Sequence, residues 1–142
     1  MKFNVLVVDD SEVMRRMVIR TLRLSGVPLG EIHEAGNGAE GLRALEEHWI
    51  DLALLDVNMP VMSGEEMMER VRENPATRDL AVVIVSTERS DARIERLQAL
   101  GANFVHKPFT PEVLRKAILC TTGVSDEQLV GSAAVPGGDL DF

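Results

Sequence analysis

Phe3-Asn4-Val5-Leu6-Val7-Val8-Asp9-Asp10-Ser11 is the stretch from which the fold can be read. Its first six residues are nearly continuous in apolar character and rich in β-branching. That is the pattern of a parallel strand buried on both faces, which has no polar side to alternate with. The run breaks abruptly at two acids. Ser11 then caps a helix running to about Leu24, with Met14, Met17, Val18 and Leu22 on its apolar stripe. Gly26 and Pro28 end that helix.

The same unit recurs along the chain. Leu52-Ala53-Leu54-Leu55, Ala81-Val82-Val83-Ile84-Val85 and Asn103-Phe104-Val105-His106 read as further strands, and the more polar Ile32-His33-Glu34-Ala35 reads as an edge strand. Amphipathic stretches at about 38–48, 64–73, 89–100 and 111–121 supply the other helices, punctuated by Asn74-Pro75, Gly101 and Gly123. Strict alternation predicts an α/β fold: a doubly wound, five-stranded parallel sheet flanked by five helices, with right-handed crossovers. No repeat of solenoid period is present.

The chain of 142 residues suits one domain, and its 45% apolar and 27% charged residues are ordinary for a soluble globular protein. Residues 1–122 form the expected domain. Beyond Gly123 the residues turn small and polar, so 123–142 read as a flexible, disordered tail. A formal net charge of −8 leaves no basic footprint for nucleic acid and repels anionic lipid. Cys120 is the sole cysteine, which excludes an intrachain disulfide and suits a reducing compartment; its apolar helical setting reads as a buried or half-buried thiol. The apolar run after Lys2 is too short for a signal peptide or a membrane span. A cytoplasmic monomer is expected.

Polar residues fall at informative places. Asp9-Asp10 follows the first strand, Asp56 the third, Ser86-Thr87 the fourth and Lys107-Pro108 the fifth. In a doubly wound sheet these are all carboxyl ends, where such folds place their sites. Three carboxylates crowded together repel one another unless a cation sits among them. With oxygen donors and no His or Cys among them, the set suits Mg²⁺ better than zinc. Each piece has a plainer explanation by itself: a helix cap, a turn residue, any loop. Four strand ends carrying these groups jointly are hard to explain that way.

Val7-Val8-Asp9-Asp10-Ser11, Met14-Arg15-Arg16, Asp56-Val57-Asn58-Met59-Pro60, Gly64, Ser86-Thr87-Glu88 and Lys107-Pro108-Phe109-Thr110 together resemble the receiver domain of two-component response regulators, most closely its CheY-like chemotaxis members. The resemblance covers residues 1 to about 122. It implies the strand order 2-1-3-4-5, for which CheY-like proteins are themselves a standard example. It implies Asp56 as phosphoacceptor, with Mg²⁺ held by Asp10, Asp56 and the Asn58 backbone carbonyl, and by Asp9 through water. Lys107 and Ser86 would contact the phosphoryl oxygens, and Pro108 would follow a cis peptide. Ser86 and Phe104 would form the switch, with Phe104 standing where CheY has tyrosine; the chain has no tyrosine at all. Asn58 and Glu88 would tune the lifetime, and the pair implies fast self-dephosphorylation. The implied protein is a stand-alone response regulator, not an enzyme beyond its own phosphorylation and dephosphorylation. A histidine kinase resembling CheA would be the donor, and a target such as a flagellar motor switch would bind through the fourth helix, fifth strand and fifth helix. The alternative is a phosphorelay intermediate or phosphate sink.

Other signals weigh less. Gly36-Asn37-Gly38-Ala39-Glu40-Gly41 spells a dinucleotide fingerprint, but Asp56, the acid that ends the next strand, already has a role in the acid pocket, and the segment resembles the receiver's ordinary second strand-to-helix turn. Met59, Met62, Met67 and Met68 read as core filling more readily than as a contact surface. Trp49 reads as a packing anchor. His33 and His48 read as scattered surface residues without ligand-like spacing. His106 lies two residues after Phe104, on the same side of its strand, and reads as space-filling on the output surface. Arg15-Arg16 reads equally as a partner-facing pair and as a solvated helix face.

Overall fold

The computed structural model describes residues 1–125, 127 and 128. Most of the segment read as a tail, residues 123–142, lies outside the described residues. Among the described residues ten elements alternate: β1 Phe3–Val8, α1 Glu12–Leu24, β2 Leu29–Ala35, α2 Gly38–Glu47, β3 Leu52–Leu55, α3 Gly64–Glu73, β4 Ala81–Ser86, α4 Asp91–Ala99, β5 Asn103–His106 and α5 Pro111–Thr122. The strands form one parallel sheet in the order β2-β1-β3-β4-β5. Fold class and strand order are both as anticipated.

Alternating side chains divide the interior in two. Val5 and Val7 of β1 join Leu52, Leu54, Val83 and Val85 beneath α1 and α5, where Val18, Leu22, Leu114 and Ile118 close the layer. Leu6 and Val8 point the other way, with Ala53, Leu55, Val82 and Ile84, against Met67, Met68 and Val71 of α3 and Leu97 of α4. Burial on both faces is the reason β1, β3 and β4 carry apolar runs instead of alternation. The methionines behave as core filling: Met67 and Met68 are fully buried, and Met59 and Met62 pack against the same cluster.

Each of α1 to α5 begins on a side-chain cap. Ser11, Asn37, Ser63, Ser90 and Thr110 each accept a backbone N–H from three residues on. The cap on α4 moves its start from the expected residue 89 to Asp91. Glu88 takes the N–H groups of Arg89 and Ser90, at 3.1 and 2.9 Å, and so holds that segment as a turn.

Four expectations need correction. β2 begins at Leu29, not Ile32; its polar start is tolerated at a sheet edge because the Asn4 side chain accepts the Glu31 N–H at 2.9 Å. Met17 is exposed, and Ile19 packs against the core instead. Trp49 anchors nothing: it is 79% exposed, its indole N–H donating to Asp51 Oδ1 at 3.0 Å. Cys120 is exposed, because Leu114 and Ile118 define the inner face of α5 and residue 120 falls outside it. Among the described residues no helix is long and apolar enough to cross a membrane.

Candidate functional site

The sheet delivers each candidate residue to its carboxyl edge by ordinary ladder bonds. Asp9 N–H donates to Ala35 O at 3.1 Å, Asp56 N–H to Val8 O at 2.9 Å, and Lys107 N–H to Ser86 O at 3.0 Å. These residues therefore stand at the last pairing positions of their strands, with backbones held and side chains projecting past the edge. The Lys107–Pro108 peptide is cis, as the resemblance implied.

Asp9, Asp10 and Asp56 converge, each offering a carboxylate oxygen within 4.8 Å of the others. Asp9 is 3% exposed and fully engaged: Oδ1 accepts the Ser11 N–H at 2.9 Å, and Oδ2 the Lys107 ammonium at 3.1 Å. Lys107 Nζ also lies 4.0 Å from Asp56 Oδ1. Burial pushes the Asp56 carboxyl above its ordinary value; Lys107 opposes this, the Asp9 charge adds to it, and the Ser86 hydroxyl and Val57 N–H again oppose it. Asp10 is exposed, and its carboxylate takes no hydrogen bond or ion pair from another described residue. Clustered, oxygen-only donors with one carboxylate left unengaged fit a hard divalent ion. They offer nothing to a soft one.

Ser86 ends β4 fully buried, its Oγ accepting the Glu88 N–H at 3.2 Å. Phe104 is half-buried against the α3–α4 core and touches His106 with ring centroids 4.6 Å apart, so the two do share a side of β5. Gly64 opens α3 hard against Asp56. A Cβ there would lie 2.5 Å from Asp56 O and 2.8 Å from Val57 Cα, so only glycine lets α3 start where it does.

Beside the pocket lies a linkage that sequence reasoning missed. Arg93 of α4 donates to Asn58 Oδ1 at 2.8 Å, to Glu88 Oε1, and to Glu65 Oε1 of α3 through Nε and Nη2 at 2.9 and 2.6 Å. Arg96 reaches Glu65 Oε2 at 3.1 Å. The Arg93 guanidinium holds the Glu65 carboxyl below its usual range. Asn58 and Glu88 are thus joined through one side chain. Nothing in local sequence signals it, since Arg93 and Glu65 are 28 residues apart.

Arg15 has a similar structural part, donating to Asp9 O at 2.7 Å and pairing with Glu34 at 2.9 Å, whereas Arg16 pairs only with Glu12 on the open helix face. In the glycine-rich turn the Gly36 N–H is taken by Glu40 Oε1 at 2.8 Å and the Glu40 N–H by Asn37 Oδ1 at 2.9 Å. An internal carboxylate occupies the place a phosphate would need.

Comparison with known proteins follows the same lines. The family described as the response regulator receiver domain matches residues 5–119. The chain is 34% identical over 125 residues to the chemotaxis protein CheY1 of Helicobacter pylori, covering 87% of this chain and 99% of that protein. It is 36% identical over 123 residues to a probable chemotaxis protein CheY of Rhizobium etli, covering 86% and 94%. The crystallised chemotaxis protein CheY4 of Vibrio cholerae superposes with a TM-score of 0.74 at 34% identity, over 85% of this chain and 99% of that one.

Proposed function

This chain belongs to the response regulator receiver domain family, as a CheY-like member, and on that premise we propose that it is a phosphorylation switch whose acceptor is Asp56. The observation that carries the proposal is the meeting of Asp9, Asp10, Asp56 and Lys107 at one sheet edge.

In the proposed reaction an Asp56 carboxylate oxygen attacks the phosphorus of a phosphohistidine on the donor kinase. A P–O bond forms and the P–N bond breaks; the imidazole leaves with the electron pair and takes up a proton. Charge spreads over the equatorial phosphoryl oxygens, so catalysis is mostly positioning and neutralisation. Asp10, Asp56 and the Asn58 carbonyl would hold magnesium, with Asp9 acting through water. Bound there, the ion would neutralise charge on the phosphoryl oxygens. Lys107, steadied by Asp9, places its ammonium beside Asp56 and offers it to a phosphoryl oxygen. Ser86 offers its hydroxyl, and its movement toward the phosphoryl group leaves room for Phe104 to turn inward. That turn would remodel the surface of α4, β5 and α5, where the target binds. Asn58 and Glu88 flank the acceptor and set how fast water removes the phosphoryl group, which we expect to be quickly.

The chemotaxis names of several relatives support a motility role, with a kinase of the CheA kind as donor and the flagellar switch as target. Incubation with a radiolabelled small acyl phosphate tests the core of the proposal. Label is expected with Mg²⁺, and none with a chelator or in Asp56→Asn. Undiminished labelling of Asp56→Asn would refute the assignment. Capture of a motor protein by the labelled form alone would favour output over relay, whereas rapid transfer to a second phosphotransfer histidine would reverse that preference.

A further inference from the structure

At the outer edge of the sheet, away from the acid pocket, Glu31, His33 and His48 come together. Glu31 and His33 alternate with Ala35 along β2, and Ala35 lies in the core beneath α2 and α3, so all three residues share the α2 face. His33 is held there with its side chain 23% exposed. His48 is the residue that ends α2: its backbone is extended while its N–H still donates to Ala44 O. Its ring lies over His33, centroids 3.8 Å apart and planes 17° from parallel. Glu31 Oε1 lies 2.9 Å from His33 Nε2. One ligand atom from each of the three lies within 4.8 Å of the other two.

We propose that Glu31, His33 and His48 bind a borderline divalent cation of the zinc type, clamping the end of α2 to the edge strand. The donor set decides the class of ion. Two imidazoles and one carboxylate with a fourth position open to water are a zinc set, whereas the all-oxygen pocket suits magnesium. The geometry is close to closing. A tetrahedral ion with ligand bonds of about 2.0–2.2 Å separates its donors by roughly 3.3–3.6 Å, so the Glu31–His33 pair, 2.9 Å apart, opens slightly to admit the ion while the wider separations, at most 4.8 Å, draw in. The His48 ring leaves the stack to aim a nitrogen at the ion. Its exposed place at the end of α2 leaves that rotation free, and Glu31 is equally exposed. Only His33 is fixed in advance, and it supplies the anchor. The two metal sites lie on different elements: α2 runs back from the carboxyl edge of the sheet, so His48 is carried away from Asp9, Asp10 and Asp56.

The protein carries its own reporter. Trp49, the sole tryptophan, is exposed and follows His48 directly, so a paramagnetic ion at this site quenches its fluorescence. The test is calorimetric titration with zinc chloride in excess Mg²⁺, with Ni²⁺ quenching of Trp49 in parallel. One equivalent of zinc is expected, together with a rise in the thermal midpoint, since an ion bound to the folded form alone stabilises it. Affinity should fall at least tenfold in His48→Ala and in Glu31→Gln, both changes on exposed side chains, and should stay the same in Asp56→Asn and His106→Ala. The proposal fails if zinc gives no heat in excess Mg²⁺. It fails equally if affinity survives His48→Ala within twofold, or if it disappears in Asp56→Asn, which would put the ion in the acid pocket.

Discussion

Val61 stands at φ 70°, in the left-handed region that a β-branched residue almost never enters, with 80% of its surface in solvent. It is the centre of a three-residue turn closed by the Met62 N–H on Pro60 O at 2.7 Å, the strained hand of such turns. No packing offsets the strain; the turn brings the chain from Asp56 to the tight start of α3 at Gly64. Val61→Gly removes the Cβ clash and should stabilise the protein by about 1 kcal/mol, net of glycine's greater freedom when unfolded. Urea denaturation with an unchanged slope checks it. Asp56 stores strain of another kind, being a half-buried carboxylate beside Asp9 whose charged form burial disfavours. With a chelator present, Asp56→Asn should raise the unfolding free energy at neutral pH by about 1 kcal/mol, the usual cost of a functional group held in an unfavourable setting. A lower unfolding midpoint for Asp56→Asn would show that the carboxylate holds the pocket together.

Among elements, α3 and α4 share one core layer through Met67, Met68, Val71 and Leu97, and Glu65, Arg93 and Arg96 join them beside the pocket. Glu65 has its pKa lowered, first by the Arg93 hydrogen bond. A depressed carboxyl contributes stability that is present above its unfolded value, near 4.5, and lost as pH falls through the lower folded value. The stability gap between wild type and Glu65→Gln should therefore be full at neutral pH and close below pH 4.5. Because the pair is partly solvated, a double-mutant cycle of Glu65→Gln with Arg93→Gln should give a coupling of only about 0.5–1 kcal/mol. Under the proposed function the same cycle read on dephosphorylation is more telling, since Arg93 also holds Asn58 and Glu88.

At the scale of the whole molecule, a sheet covered on both faces leaves its two edges to differ in chemistry. The carboxyl edge gathers acids and Lys107, while the opposite end carries an exposed Trp49 just before β3. Intrinsic fluorescence should therefore report on the wrong end of the protein for an ion or adduct in the acid pocket. Trp49 emission is expected at solvated wavelengths, readily quenched by acrylamide and unmoved by Mg²⁺ or beryllofluoride. A clear Mg²⁺-induced change in emission would mean that the acid pocket is coupled to the start of β3 through the sheet.

Much of this was legible in the chain alone, for a local reason. A parallel strand buried on both faces must stay apolar to its end, so the first polar residue after each run marks the carboxyl edge; Asp9, Asp56 and Ser86 declare themselves in that way, whereas Lys107 follows β5, an edge strand that already carries Asn103 and His106. Helix starts were plain except at α4, which begins at Asp91 and not at 89, because capping is settled by the residue at the boundary and the few that follow. What lay beyond reach depended on how finished elements pack. The period of a helix says that an apolar stripe exists but not where its rim falls, so Met17 and Cys120 were assigned inward and lie outside. Trp49 follows α2 in a segment with no period at all. Arg93 with Glu65, and His33 with His48, meet only because helices cross the sheet at particular places, and no spacing along the chain encodes a contact between side chains of separate elements. Local sequence therefore determined the architecture and the acid pocket, and tertiary packing alone decided which charged and aromatic groups of separate elements meet.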